Sequence, residues 1–190
     1  MTMGVTLLCH GTTRSMRLGG FPSATEPLDD GGLQKAGSRM IGRHDRIQAS
    51  PAAAAQETAD ALGIAAIPDE RLRDRDAGEW AGMSLEAIYA RAPDALGAWM
   101  VQPEAATAGG ETLATVRDRM AEWLADQAMQ EGRVLAITHP MTIRAALSAS
   151  LDLPLSSVLR IDIAPLSITT LSWNRVWRLQ GLGLDMPARA

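Results

Sequence analysis

Short apolar runs alternate along this chain with longer stretches whose apolar residues recur every three to four positions. Residues 4–9 (GVTLLC), 46–50, 65–67 and 133–138 (RVLAIT) read as short strands, the first and last apolar enough to be buried on both faces. Helical spacing covers Leu33 to Arg43, a stretch opened by Ser50-Pro51 and closed at Gly63, and a run from Glu111 to Met129. It also covers a segment opened by Ser84 and interrupted near Pro93, and another that Pro140 starts and Leu153-Pro154 ends. Residues 14–31, rich in Gly, Pro, Ser and Asp, form a long loop, and such loops more often serve function than connection. The last third turns β-rich over 158–163, 166–173 and 175–180, with Asn174-Arg175 as the turn between the latter two. The end, DMPARA, reads as a frayed tail.

Strands alternating with helices predict a three-layer α/β/α fold: a mostly parallel central sheet covered on both faces, with antiparallel edge strands at one end. At 190 residues, one domain spanning 1–190 is expected, with 183–190 as its flexible tail. A net charge of −4 gives no basic footprint, so neither nucleic acid nor an anionic membrane surface is an expected partner. A single cysteine, Cys9, excludes an internal disulfide and fits a reducing compartment. The start, MTMGVTLLCHG, has no basic n-region, and no run approaches a bilayer-spanning length; a cytoplasmic location is expected.

In open parallel sheets, ligands lie beyond the carboxyl ends of strands. Two of the three histidines, His10 and His139, sit at such ends. Either one alone could be a metal ligand, an acid or base, a nucleophile or a structural turn residue. Two at two strand ends point to a shared site. His44, in the polar segment GRHDR, reads as a solvated helix-end residue. No metal is expected: Cys9-His10 is not a usual chelating pair and no second Cys/His pair exists.

These segments resemble the motifs of the histidine phosphatase superfamily (phosphoglycerate-mutase-like). LLCHGTT is similar to its strand–RHGxT, PLDDGGLQKA to PLTxxGxxQA, SPAAAAQETA to SPLxRAxQTA and LRDRDAGEWAG to LxExxxGxWEG. GGET and VLAITHPMTIRAAL resemble GGES and VLVVSHGGxIRxL. Six motifs in order, over residues 5–147, imply that fold and a phosphatase-like site. By this resemblance His10 is the nucleophile that becomes phosphorylated, a task suited to a neutral imidazole. His139 stabilises the phosphoryl group, and Asp74 is the acid that protonates the leaving oxygen, with Asp76 as its local competitor. Gly11, Thr13, Arg14 and Arg17 are the expected phosphate-binding residues; Arg73 and Arg75 are further candidates, and no cofactor is expected.

The chain departs from the family pattern around that same pocket. The arginine before the nucleophile is Cys9, and the arginine of the SPLxRA motif is Ala54. The glycine after the second histidine is Pro140, which has no N–H to offer, and a polar position six after the nucleophile is Met16. Because phosphoryl transfer is mostly positioning and charge stabilisation, losing an arginine can cost about 10³–10⁵ in rate. Two readings follow. One is a degraded pocket, weak or inactive on common phosphate esters and serving as a binding or regulatory module for a small phosphorylated molecule or other anion. The other is an active phosphomonoesterase working through phospho-His10 on an unusual substrate. A mutase, which needs more cationic grip, fits least. Trp173 and Trp177 bracket the terminal turn and mark a candidate homodimer surface.

Overall fold

The computed structural model describes residues 3–189. Its sheet has six strands: β1 (Met3–Cys9), β2 (Arg46–Ala49), β3 (Ile67–Pro68), β4 (Arg133–Thr138), β5 (Ser167–Asn174) and β6 (Val176–Asp185), in the order β3-β2-β4-β1-β5-β6. The first four run parallel, and β5 and β6 add antiparallel pairs at one end. Among the described residues eight α-helices complete the fold: α1 (Arg14–Leu18), α2 (Asp30–Gly37), α3 (Ala53–Leu62), α4 (Leu85–Arg91), α5 (Pro93–Val101), α6 (Leu113–Ala128), α7 (Pro140–Leu151) and α8 (Leu155–Val158). The result is the three-layer α/β/α architecture expected from the alternation of periods.

Alternation along β1 explains the layers. Met3, Val5, Leu7 and Cys9 enter one core with Met120 and Trp123 of α6 and Ile143 and Leu147 of α7. On the opposite face Leu8 packs with Ala55 and Ala59 of α3, Leu135 and Ile137 of β4 and Met186. The Trp123 indole N–H is satisfied by the Gln48 side-chain oxygen at 3.1 Å, so this fully buried ring leaves no polar atom orphaned. A smaller cluster of Phe21, Trp80, Ile88 and Leu96 lies under α4 and α5.

Several elements differ from the sequence reading, each for a local reason. The helix expected over 33–43 starts earlier and ends at Gly37, because the Asp29 carboxylate caps it by accepting from the Gly32 amide. The loop over 14–31 contains α1, capped by Thr13. Residues 158–163 are not a strand: Pro154 opens α8, and Val158 and Ile163 are buried against the core through helix and turn. The tail expected over 183–190 is instead attached. β6 continues to Asp185, Met186 is buried, and the Arg189 guanidinium donates to the Leu62 carbonyl at 3.0 Å; Ala190 lies outside the described residues. Among the described residues no helix is long and apolar enough to cross a membrane.

The register of the central pair positions the site. Cys9 is paired with Thr138, so the next residue of each strand, His10 and His139, leaves the sheet at the same level. The His10 amide still donates to the Thr138 carbonyl at 2.9 Å. β2 ends one step earlier beside β4, which delivers Ser50 to the same edge.

Candidate active site

The two imidazoles meet edge to face, ring centroids 4.8 Å apart at 66°. His10 Nδ1 lies 2.7 Å from the Gly11 carbonyl, which can only accept, so Nδ1 carries the proton and Nε2 keeps its lone pair. His139 Nε2 lies 2.8 Å from the Ser50 hydroxyl. That oxygen also accepts from the Ala52 amide at 3.2 Å, and with no other acceptor at hand for its proton, the arrangement that satisfies the hydroxyl has it donating to His139 Nε2. The His139 proton is then on Nδ1, 3.7 Å from Asp74 Oδ2.

Burial is the main force on all three titrating groups. It lowers His10 to about 4, with His139 as the next cause, and His139 to about 3, with the Arg119 guanidinium next. Both rings are therefore neutral near pH 7. The Asp74 side chain is 31% open to the cleft, yet the surrounding protein withdraws it from bulk water and raises its carboxyl above the usual range. The Arg75 amide, donating to Oδ1 at 2.8 Å, opposes that rise without cancelling it. Two neutral bases beside a carboxyl biased toward its acid form can take up an electrophile and hand over a proton.

Asp74 is held by a scaffold of buried polar side chains. Arg119 of α6 donates to the carbonyls of Arg71 (2.8 Å), Arg73 (2.9 Å) and Asp74 (3.3 Å). Thr138 and Thr142 donate to the carbonyls of Leu72 (2.6 Å) and Arg73 (2.8 Å). Asp76 also lines the cleft, but it is exposed and its Oδ1 accepts from the Gly78 amide at 2.8 Å, whereas Asp74 Oδ2 is the carboxylate oxygen set against His139.

His10, Asp74 and His139 line a cleft of about 480 Å³ together with Thr13, Arg73, Arg75 and Ala54. Of the four expected phosphate-binding residues, only Thr13 reaches it. The Gly11 amide is used by the Thr58 hydroxyl at 3.0 Å. Arg14 is exposed on α1, outside the cleft lining. Arg17 turns away to the Asp29 carboxylate, which also caps α2. Arg73 reaches the cleft but is paired with Glu111 at 2.6 Å. Arg75 is different. Its guanidinium is buried, 4.3 Å from the Trp99 ring centroid, with Nε bonded to the Glu111 carbonyl and Nη1 without a partner. Burial lowers it to about 10, so it remains a cation at neutral pH.

Sequence reasoning missed Ser50 and Arg119. Ser50 looked like a helix cap before Pro51, but α3 begins at Ala53 and the hydroxyl serves His139 instead. Arg119 sits on an ordinary amphipathic helix, and nothing in its spacing marks it. His44 lies outside any helix, between the Gly42 carbonyl (2.7 Å) and the Thr6 hydroxyl (3.0 Å). Cys9 is wholly buried and its thiol is pushed up by desolvation, which makes it an inert core residue.

A sequence model of the histidine phosphatase superfamily, branch 1, matches residues 5–183. The chain belongs to this superfamily. Phosphoserine phosphatase 1 of Hydrogenobacter thermophilus is 30% identical over 105 residues, 54% of this chain and 50% of that protein, so the match spans half of the relative's length. The structure of a mycobacterial glucosyl-3-phosphoglycerate phosphatase complexed with VO3 is 26% identical, with a TM-score of 0.85 over 96% of this chain and 99% of that one. Bacillus stearothermophilus YhfR, at 23% identity, shares the fold with a TM-score of 0.87 over 96% and 97% of the two chains. Similar histidine phosphatases thus include proteins named for action on phosphate esters.

Proposed function

We propose that this protein is a phosphomonoester hydrolase acting through a phospho-His10 intermediate on a small phosphorylated molecule. The observation that carries this is the constellation of a neutral His10 with a free Nε2, a second neutral imidazole 4.8 Å away, and an elevated carboxyl at Asp74. Nε2 attacks phosphorus, the N–P bond forms as the ester P–O bond breaks, and Asp74 gives its proton to the departing oxygen. Water then attacks the phosphohistidine, Asp74 takes its proton, and inorganic phosphate leaves with His10 restored. His139 Nδ1–H donates to a phosphoryl oxygen during both steps.

Cys9 and Ala54 stand where the family resemblance puts two arginines, so the phosphoryl group is gripped less than in its relatives. Arg75 supports the reading that grip is partly replaced: it sets a buried positive charge in the cleft wall, and it acts through that charge because Nε and Nη2 are bonded to carbonyls and Nη1 is itself buried. A weak grip favours substrates that bind through their other end. The alternative, a binding module without turnover, rests on the same two positions.

Incubation with p-nitrophenyl phosphate and a panel of phosphate esters from pH 3 to 9 separates the readings. Turnover is expected, with kcat/KM falling on the acid side near pH 4 as His10 gains a proton. On the alkaline side it falls above the ordinary carboxylate range, as Asp74 loses the proton it must donate. No turnover on any ester at any pH would replace this reading with the binding module.

A further inference from the structure

A second chamber adjoins the polar cleft at His10, Asp74 and Arg75 and has no part in the chemistry described so far. Of about 290 Å³, it is walled by Met16, Phe21, Leu85, Trp99, Met100 and Met141. His10, Asp74 and Arg75 belong to its lining and also to that of the polar cleft, so the reacting groups stand at the seam between the two. The walls come from three distant pieces of chain: α1 with the loop that follows it, helices α4 and α5, and the first turn of α7. Phe21 packs edge to face on Trp99 with centroids 4.6 Å apart, which fixes the aromatic side. The methionines supply adaptable, polarisable surface opposite.

The two chambers differ in what they can hold. The polar cleft is lined by Thr13 and by the positive charges of Arg73 and Arg75, a setting that suits an anionic phosphoryl group. The second chamber has apolar walls broken only by Arg75 and Arg144 away from the reacting groups. Arg144 is already tied by Nε to the Ile161 carbonyl at 2.7 Å. A polyol placed there would give up water and regain few hydrogen bonds, whereas a hydrocarbon body would leave water with gain. Asp74 lines both chambers, so an oxygen it protonates can belong to an alcohol lying on the apolar side. Met16 and Pro140, two departures from the family pattern in the phosphate pocket, both line this chamber.

We infer that this chamber is the leaving-group subsite and that the preferred substrates are phosphate monoesters of aromatic or branched apolar alcohols. The inference rests on the phosphatase reading for its chemistry, but the ligand class can be tested without turnover. Titration calorimetry compares 2-phenylethylphosphonate with 2,3-dihydroxypropylphosphonate, neither of which can be hydrolysed. The apolar ligand is expected to bind at least about tenfold more tightly, and the ratio to shrink to about threefold or less in Trp99→Ala and in Met141→Glu. The second variant adds a carboxylate at a half-buried helix position and guards against loss of folding in the first. Equal affinities, binding of neither ligand, or a preference that survives both substitutions would overturn the assignment. Turnover of 2-phenylethyl phosphate and glycerol 1-phosphate, both esters of primary alcohols, is measured in parallel. Selective binding with no turnover of either ester would sink the phosphatase reading and leave the subsite standing.

Discussion

Ala54→Arg is expected to raise kcat/KM on small phosphate esters by about a hundredfold or more, because one well-placed arginine on a transferring phosphoryl group is worth about 10³–10⁵ in rate. Ala54 lies in the first turn of α3, buried itself but on the wall of the polar cleft that His10 also lines, so a longer side chain there has the cleft to extend into. A guanidinium there gives a dianion a two-pronged partner on a side of the cleft that now offers Ala52, Ala54 and Pro51. Cys9→Arg, suggested by the same resemblance, has a different outcome. Cys9 is wholly buried in the core that holds Leu7 and Ile143, where desolvation is the largest effect on a charge, and Asp74 and Arg144 act on it with opposite signs. That variant is expected to lower the melting temperature and yield of folded protein. Steady-state kinetics and thermal melts on the two single variants check both statements. An unchanged kcat/KM in a folded Ala54→Arg protein would mean that the phosphoryl group does not lie against that wall.

His10→Ala is expected to reduce turnover by about four orders of magnitude or to background, since removing the nucleophile of an interdependent set forfeits the whole covalent route. Its effect on folding should be small. The ring's Nδ1 bond goes only to the adjacent Gly11 carbonyl, and the strand pairing that carries residue 10 is made by its backbone. Circular dichroism and kinetics on the same preparation separate the two effects. A folded His10→Ala protein that retains most of its activity would assign the attack to another group.

How far the sequence foretold this arrangement depended on whether chemistry was tied to the backbone. His10 and His139 could be placed together because each ends an apolar strand, and neighbouring parallel strands in register deliver their next residues side by side. Asp74 and Asp76 could not be told apart by spacing. Arg119, Thr138 and Thr142 separate them by fastening the Leu72–Asp74 backbone beside the histidines. The loop arginines misled because charge alone does not reveal a partner. Arg17 is taken by Asp29, twelve residues away, while Arg75 is buried on Trp99. Residues 158–163 misled because apolar alternation records burial, not pairing, and burial there comes from packing on α7. Ser50 was hidden by a competing local signal: Ser-Pro is a common way to open a helix, and only the register of β2 shows the hydroxyl beside His139.

The central claim is that His10 Nε2 carries the phosphoryl group, and the direct measurement is to catch it there. The protein is mixed with a turned-over ester carrying ³²P and quenched within the first turnover in alkali. It should yield a labelled peptide containing residue 10 that is stable in base and lost in acid, and His10→Ala should yield none. Turnover with no such species, or the same label in the His10→Ala protein, would contradict the account.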